Sequence, residues 1–185
     1  MKKILLIIIC NISLLGSGFS QWQEANNGLY GGYISVLTVD PITNYMYAGT
    51  QHGGIFKSTN NGSNWTAVNN GLSDNALNVL TIAISGNNIF AGTYGGVFLS
   101  TNNGGSWTAV NNGLSLDGLN VHTIAISGSN IFAGTNGGVF LSTNNGSSWT
   151  AVNNGLSESG LNVQTIAIGG VEFSYLPAMA VAGLL

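Results

Sequence analysis

Residues Trp65–Ser106 read WTAVNNGLSDNALNVLTIAISGNNIFAGTYGGVFLSTNNGGS, and the next stretch, Trp107–Ser148, reads WTAVNNGLSLDGLNVHTIAISGSNIFAGTNGGVFLSTNNGSS. The two stretches differ at only 7 of 42 positions, so one is a recent copy of the other. The tryptophans of the chain follow the same period, with spacings of 43, 42 and 42 residues: Trp22, Trp65, Trp107 and Trp149. The sequence is therefore a tandem repeat, which is typical of solenoids, propellers and arrays.

Less perfect copies flank this pair. Trp22–Asn64 is a looser copy that keeps Asn26-Asn27-Gly28-Leu29 and Ala48-Gly49-Thr50. The unit that begins at Trp149 follows the pattern to Ile168 and loses it at Gly169. We therefore predict three segments: a signal peptide over residues 1–20, repeats over residues 21–170, and a non-repeat apolar tail over residues 171–185.

Each unit alternates short strand-forming runs with turns. Over one period the runs are Thr81–Ser85, Asn88–Thr93, Val97–Ser100 and Ser106–Val110. Gly or Asn-Gly closes each run, which leaves no room for a helix of ordinary length. Four strands in about 42 residues is the size of a β-propeller blade. We predict an all-β fold with four antiparallel strands per blade and three full blades plus partial blades. We expect an open or incomplete propeller, and a closed four-bladed disc is the alternative.

A turn motif recurs between the third and fourth strands. It reads Ser-Thr-Asn-Asn-Gly-x-x-Trp at residues 58–65, 100–107 and 142–149. This motif resembles the Asp-box, or BNR repeat, which is written S-x-D-x-G-x-T-W. The wider unit resembles the propeller repeats of the photosystem II stability/assembly factor family, of sortilin-type receptors and of xyloglucan-degrading hydrolases. The resemblance implies a propeller fold, and the chain departs from the motif because Asn stands in place of Asp.

The motif has a structural interpretation. The Asn oxygen can accept hydrogen bonds from backbone N–H groups of its own turn, Gly supplies a positive φ, and Trp packs over the turn. The residues assigned to this role are Ser58, Asn60, Gly62, Trp65, Ser100, Asn102, Gly104, Trp107, Ser142, Asn144, Gly146 and Trp149. A calcium site is the alternative, but calcium sites depend on carboxylates and these turns contain none. We therefore predict no bound metal there.

The first 20 residues have the features of an export signal. Lys2 and Lys3 precede the apolar run Ile4–Leu15, and the small residues Gly18 and Ser20 fit cleavage after position 20. The apolar run is shorter than the ~20 residues that cross a bilayer, so we predict no membrane span after cleavage. We expect a secreted, periplasmic or cell-surface protein. The single cysteine lies inside the signal, so the mature chain has no disulfide.

The charge composition excludes two classes of function. Only 5% of the residues are charged, against about 25% in an ordinary soluble protein. There is no arginine, and Lys57 is the only cationic side chain after residue 20. Nucleic acid is excluded as a partner because its phosphates require many Lys and Arg contacts. Sialidases, which also carry Asp-boxes, hold their substrate with an arginine triad, so that mechanism is excluded too.

A glycosidase would need two carboxyl groups that flank the scissile bond. Asp74, Asp117 and Glu158 recur at nearly equivalent places after each fourth strand, whereas an enzyme site is normally one asymmetric cluster. The two histidines, His52 and His122, lie in different loops and lack metal-ligand spacing. We predict that the chain is not an enzyme and uses no cofactor. A glycosidase-like carbohydrate-active enzyme, or a fragment of one, is the alternative.

Some of the positions that differ between repeats indicate a binding face. In propellers, the loops that enter the first strand and the loops between the second and third strands lie on one face of the disc. We assign Leu80, His122 and Gln164 to the first group of loops and Tyr94 and Asn136 to the second, with His52 nearby. Neutral drift at exposed positions is the alternative. We predict a binding or scaffold module for an extracellular protein or polysaccharide, with self-association through open blade edges.

Overall fold

The computed structural model describes residues 24–157 and 161–168. The predicted signal peptide at residues 1–20, the predicted tail at residues 171–185, Trp22 and Glu158 lie outside these ranges. Within them the chain forms twelve strands and two short 3-10 turns, Asp74–Leu77 and Asp117–Leu119. The strands build three sheets, which we call blades 1, 2 and 3. The fourth strand of each blade comes from the start of the next 42-residue unit.

Each blade contains four antiparallel strands paired in chain order. Blade 1 contains β1 (Ile34–Val39), β2 (Met46–Thr50), β3 (Ile55–Ser58) and β4 (Thr66–Ala67). Blade 2 contains β5 (Val79–Ser85), β6 (Asn88–Thr93), β7 (Gly96–Ser100) and β8 (Thr108–Ala109). Blade 3 contains β9 (Val121–Ser127), β10 (Asn130–Thr135), β11 (Gly138–Ser142) and β12 (Thr150–Ala151). The predicted all-β architecture of four-stranded blades is confirmed.

The first and fourth strands differ from their predicted bounds. β5 starts at Val79, two residues before the predicted start, and β8 contains only Thr108–Ala109 instead of the predicted Ser106–Val110. The fourth strand is short because Trp107 leaves its own sheet. The backbone N–H of Trp107 donates to the carbonyl oxygen of Asn70 in the preceding repeat, at 2.8 Å.

The apolar core lies between the blades, where one face of each sheet packs against the next sheet. Blades 1 and 2 bury Tyr47, Ile55, Leu72, Ala76, Val79, Ile82, Ile89, Ala91, Phe98 and Trp107. Blades 2 and 3 bury Phe90, Val97, Val121, Ile124, Ile131, Ala133, Phe140 and Trp149. Every blade therefore depends on its neighbour to remove its apolar faces from water, which is the usual source of stability in repeat proteins.

The tryptophans fasten each blade to the preceding repeat. All three are buried, and each indole Nε1–H donates to a backbone carbonyl of the repeat before it: Trp65 to Ala25 at 2.9 Å, Trp107 to Val68 at 2.8 Å, and Trp149 to Val110 at 2.7 Å. The ring supplies apolar area while its polar N–H is satisfied, which is the arrangement that buried tryptophans require.

The recurring turn is held by one side-chain oxygen. In blade 2, Asn102 Oδ1 accepts hydrogen bonds from Ser100 Oγ and from the backbone N–H of Ser106, both at 2.9 Å. Gly104 has a φ of 81° and donates its N–H to Ser100 Oγ at 3.0 Å. The same contacts recur in the other blades, at Ser58, Asn60, Gly62, Ser142, Asn144 and Gly146. The Ser and Asn side-chain oxygens of the turn thus form hydrogen bonds within the turn itself.

Partial repeats cover the two outer faces of the arc. Residues 161–168 lie along blade 3, with Val163 and Ile166 buried against Phe132 and Val139. The N–H of Val163 donates to the carbonyl oxygen of Thr135 at 2.9 Å. On the other side, residues 24–29 cover part of blade 1. Within the described residues, the three blades therefore form an open arc and not a closed disc.

Candidate ligand site at the junction of blades 2 and 3

A bulge near the start of each first strand turns one side chain out of the regular alternation. The pairing of β5 with β6 shifts register between Val79 and Thr81, which isolates Leu80. In blade 3 the pairing shifts at the same place and isolates His122. Bulges re-aim side chains and are common next to functional sites. Sequence analysis placed Leu80 and His122 in loops that enter the strand. That assignment was wrong, because both lie within the strand, at the bulge.

The short loops between the second and third strands are rigidly held beside the bulges. The backbone N–H of Tyr94 donates to the carbonyl of Asn78 at 3.2 Å, and the N–H of Asn136 donates to the carbonyl of Asn120 at 3.3 Å. Thr93 Oγ1 also accepts a hydrogen bond from the N–H of Gly95 and donates to the carbonyl of Gly96, both at 2.9 Å. Such anchoring holds the loop backbone in one conformation, and a preordered backbone reduces the entropy cost of binding.

A further asparagine supports each of these loops from the fourth-strand side. Asn111 accepts a hydrogen bond from the N–H of Val97 at 2.8 Å and donates to the carbonyl of Gly95 at 3.0 Å. Asn69 and Asn153 hold the equivalent loops of blades 1 and 3 in the same way. This support was not predicted. An Asn-Asn-Gly sequence indicates a turn, but it does not show that the first Asn binds the loop between the second and third strands.

The bulge of blade 3, together with loops and 3-10 turns of blades 2 and 3, lines one open depression of about 400 Å³. Its lining residues are Asn75 and Tyr94 from blade 2 and Asn120, His122 and Asn136 from blade 3. Three of the six predicted binding residues, Tyr94, His122 and Asn136, are therefore brought together. Below, we call this surface the polar depression.

The lining of the polar depression contains no Asp, Glu, Lys or Arg and is rich in hydrogen-bonding groups. His122 Nε2 lies 2.6 Å from Asn136 Oδ1, so the imidazole and the amide hold each other in place. Tyr94 is 45% exposed and offers an aromatic ring to the surface. Three amide side chains complete the lining, and each carries both donors and an acceptor. This combination suits a neutral ligand that presents hydroxyl groups and an apolar face.

The other predicted binding residues lie elsewhere. Leu80 is half-buried on β5 and does not line the depression. His52 is exposed in the loop between β2 and β3 of blade 1, and its backbone N–H donates to Gly31. Gln164 is exposed in the segment 161–168, where its amide donates to Asn162. None of these three residues lines the polar depression.

Two lining residues were not predicted. Asn75 lies on the first 3-10 turn, and Asn120 directly follows the second one. Asn75 carried a usable signal, because it is one of the positions that differ between the repeats. Asn120 carried none, because its counterpart Asn78 is the same residue. The 3-10 turns that position both residues were also not expected from the sequence.

Two of the three acidic residues considered for catalysis, Asp74 and Asp117, lie on these 3-10 turns. Asp74 and Asp117 are exposed and do not line the depression, and Glu158 lies outside the described residues. Over residues 24–157 and 161–168, no three His, Cys, Asp or Glu side chains are grouped as a metal site would require. In the same part of the chain, no helix has the length and apolarity needed to span a bilayer.

Comparison with solved structures identifies the fold. No family model and no curated protein sequence matches the chain. YCF48 from Cyanidioschyzon merolae matches with a TM-score of 0.50 and 16% identity, over 63% of this chain and 35% of that one. The chain has the β-propeller fold.

Two glycoside hydrolase family 74 enzymes match more distantly. An ancestral GH74 enzyme matches with a TM-score of 0.41 and 23% identity, over 77% of this chain and 26% of that one. The GH74 enzyme of Niastella koreensis matches with a TM-score of 0.46 and 24% identity, over 66% of this chain and 19% of that one. The chain thus spans only about a fifth to a third of the length of these structures.

Proposed function

We propose that the chain is an exported, non-catalytic propeller module whose ligand site is the polar depression. One observation carries this proposal. Two repeats that agree at all but 7 of 42 positions place differing residues, including Tyr94, His122 and Asn136, around the same depression. Function in repeat folds resides in sites grafted on a common frame. The two repeats share nearly all of their residues and differ around the depression, as expected for a ligand site carried on a constant fold.

Binding is favoured over catalysis by the chemistry of the lining. None of the five residues around the depression carries a carboxyl group, whereas glycoside hydrolysis normally uses two carboxyl groups about 5–9.5 Å apart. Asp74 and Asp117 lie on exposed turns of two successive repeats. We therefore treat them as surface residues, and a glycosidase-like enzyme or fragment is the alternative to be tested.

Among extracellular ligands, a neutral polysaccharide fits the depression better than a protein. An exposed ring at Tyr94 can pack against the apolar face of a sugar. The amides of Asn75, Asn120 and Asn136 and the imidazole of His122 can exchange hydrogen bonds with sugar hydroxyls. No charged side chain among them would select an ionic group. The Asp-box resemblance of the recurring turns and the signal-like residues 1–20 agree with an exported protein of this kind.

A binding panel with repeat-swap variants tests the proposal. The mature chain is applied to immobilised neutral and acidic polysaccharides, and binding is measured beside two variants, Tyr94→Asn and His122→Leu. Each variant installs the residue that the sibling repeat carries at that position, so folding should be unchanged. We expect both variants to weaken binding of a neutral polysaccharide at least tenfold with an unchanged melting temperature.

The matched control is Asn87→Ser, which also installs a sibling residue. Asn87 lies on the exposed hairpin between β5 and β6, at the end of the strands away from the depression. This variant should bind as the wild type does. Equal binding by all three variants, or no binding to any neutral polysaccharide, would contradict the proposal.

The enzymatic alternative has its own test. Chromogenic glycosides and soluble polysaccharides are incubated with the wild-type chain and with Asp117→Asn, and released product is measured. We expect no turnover by either. Turnover by the wild type that Asp117→Asn abolishes would overturn the non-catalytic assignment.

A further inference from the structure

One face of blade 1 is apolar and only partly covered. It is the face that points away from blade 2, and it carries Leu37, Val39, Met46, Phe56 and Trp65. Residues 24–29 cover its outer part, where Leu29 packs against the buried cluster. The inner part stays accessible, since Leu37 is 39% and Val39 46% exposed. Below, we call this surface the open face of blade 1.

The equivalent faces of the other blades show what this surface normally contacts. Strand pairing aligns Leu37 with Ile82 of blade 2 and Ile124 of blade 3. Both isoleucines are buried, Ile82 at 6% exposure, because the preceding blade packs over them. Thr38 of blade 1 even donates its hydroxyl to the carbonyl of Ile82 across that junction, at 3.1 Å. The open face thus has the chemistry of an inter-blade junction with half of its partner missing.

A surface that fits the open face is present on the same chain. Residues 161–168 repeat the first strand of a blade, and Val163 and Ile166 pack on blade 3. Thr165 and Ala167 point to the other side and are exposed. Ala167 corresponds to Ala83 of blade 2, which packs against blade 3, and to Thr38 of blade 1. This exposed side is therefore the side that contacts the next blade in both complete junctions.

We propose that the open face of blade 1 binds residues 161–168 of a second copy of the chain, head to tail. The contact would continue the existing interface of residues 24–29 and repeat the geometry of the two internal junctions. Neither surface carries a charged side chain, and Lys57 points to the opposite face, where it donates to the carbonyl of Asn103 in blade 2. A heterologous contact of this kind builds open chains or closed rings of subunits.

Light scattering after size-exclusion chromatography tests the proposal on the mature chain. We expect a mass of at least twice the monomer that increases with concentration. Leu37→Lys and Ala167→Lys should each reduce the mass, because each places a charge in one half of the contact. Leu116→Lys is the matched control, since Leu116 is 87% exposed between β8 and β9 and aligns with the charged Asp74 of the sibling repeat, and it should associate as the wild type does.

A mixing experiment distinguishes the head-to-tail contact from other modes. Leu37→Lys keeps an intact segment 161–168, and Ala167→Lys keeps an intact open face, so an equimolar mixture should form a one-to-one heterodimer. A symmetric contact between two open faces would show no such rescue and would overturn the proposal. A wild-type chain that stays monomeric at all concentrations, as expected if its own residues cover the open face, would overturn it too.

Discussion

At the scale of single residues, Asn102 holds the recurring turn of blade 2 with an uncharged side chain. Its Oδ1 accepts the two hydrogen bonds that hold the turn, and its Nδ2 donates to Ser106 Oγ at 3.0 Å. A carboxylate could accept the same two bonds and a third from the Ser106 hydroxyl. The oxygen and not the amide nitrogen is therefore the group that the turn requires.

This reasoning predicts the effect of two substitutions. Asn102→Asp should change the free energy of unfolding by less than about 0.5 kcal/mol, as is usual at the surface. Asn102→Leu removes the acceptor and should cost about 1–2 kcal/mol. Urea denaturation of both variants measures the difference. Equal losses would show that the amide donor holds the turn.

Tyr47 is a second residue whose chemistry differs from that of its counterparts. It is completely buried, and its hydroxyl has no hydrogen-bond partner among the described residues. Phe90 and Phe132 occupy the equivalent positions of blades 2 and 3. A buried hydroxyl without a partner costs about 1–3 kcal/mol. We therefore predict that Tyr47→Phe stabilises the chain by about 1 kcal/mol in urea denaturation, and a loss of that size would contradict the prediction.

The same residue predicts the behaviour at high pH. Burial, then the negative charge of Asp40 and then Tyr45, raise the pKa of Tyr47 from 10.0 to about 12. Below pH 10 the phenol of Tyr47 is neutral in both the folded and the unfolded chain, so its ionisation does not lower the free energy of unfolding there. Between pH 10 and about 12 only the unfolded chain ionises, so stability falls as the pH rises. Tyr47→Phe should reduce this fall, which denaturation at several pH values measures.

At the scale of elements, the hairpin between β1 and β2 depends on one carboxylate. Asp40 accepts hydrogen bonds from the N–H of Ile42 at 2.8 Å and from Thr43 Oγ1 at 2.6 Å. Burial alone would raise the pKa of Asp40, but the hydrogen bonds from Thr43 and Ile42 outweigh it and lower the pKa below 3.8. Blades 2 and 3 replace this hairpin by a tighter Gly-Asn or Gly-Ser turn.

The lowered pKa of Asp40 determines how its contribution to the free energy of unfolding changes at low pH. Its stabilisation is complete above pH 3.8 and is lost as the pH falls through the lower folded-state pKa. Asp40→Asn should therefore flatten the acid side of a plot of stability against pH. Thr43→Val, which removes one of the hydrogen bonds, should flatten it in part. An unchanged acid limb in Asp40→Asn would show that other carboxylates govern acid unfolding.

The junction between blades is the element on which stability depends most. Trp107 is buried between blades 1 and 2 and donates to the carbonyl of Val68. Trp107→Ala should cost about 3–5 kcal/mol, as large-to-small changes in cores do. His122→Ala, at the rim of the polar depression, should stay within about 0.5 kcal/mol. Equal shifts in melting temperature would mean that the tryptophan does not join the blades.

The sequence predicted the strands and blades because turns and strand runs recur with one period. It did not predict the short fourth strand, since the bond from Trp107 to Asn70 joins different repeats and leaves no local pattern. It placed Tyr94, His122 and Asn136 on the varying face but missed Asn75 and Asn120. Which side chains meet in the depression depends on the angle between blades 2 and 3, and a periodic pattern does not encode that angle.

At the scale of the whole molecule, comparison of the duplicated blades separates the positions that build the fold from the positions that vary at the surface. Most positions that build the cores, the recurring turns and the tryptophan contacts are identical between blades 2 and 3. Positions that differ cluster on the 3-10 turns, the bulges and the loops beside the depression. Six of the seven differences lie at exposed or half-buried positions, where changes usually cost little stability. The seventh exchanges Ala76, which is buried between blades 1 and 2, for Gly118.

Whether the polar depression is the ligand site is tested most directly by a heteronuclear NMR titration. The ¹⁵N-labelled mature chain is titrated with a mixture of neutral oligosaccharides. The account predicts that backbone amide shifts move at the five lining residues: Asn75, Tyr94, Asn120, His122 and Asn136. The hairpins at the opposite end of the strands, at residues 86–87 and 128–129, should not move. Shifts confined to those hairpins or to the open face of blade 1, or no shift at saturating oligosaccharide, would contradict the account.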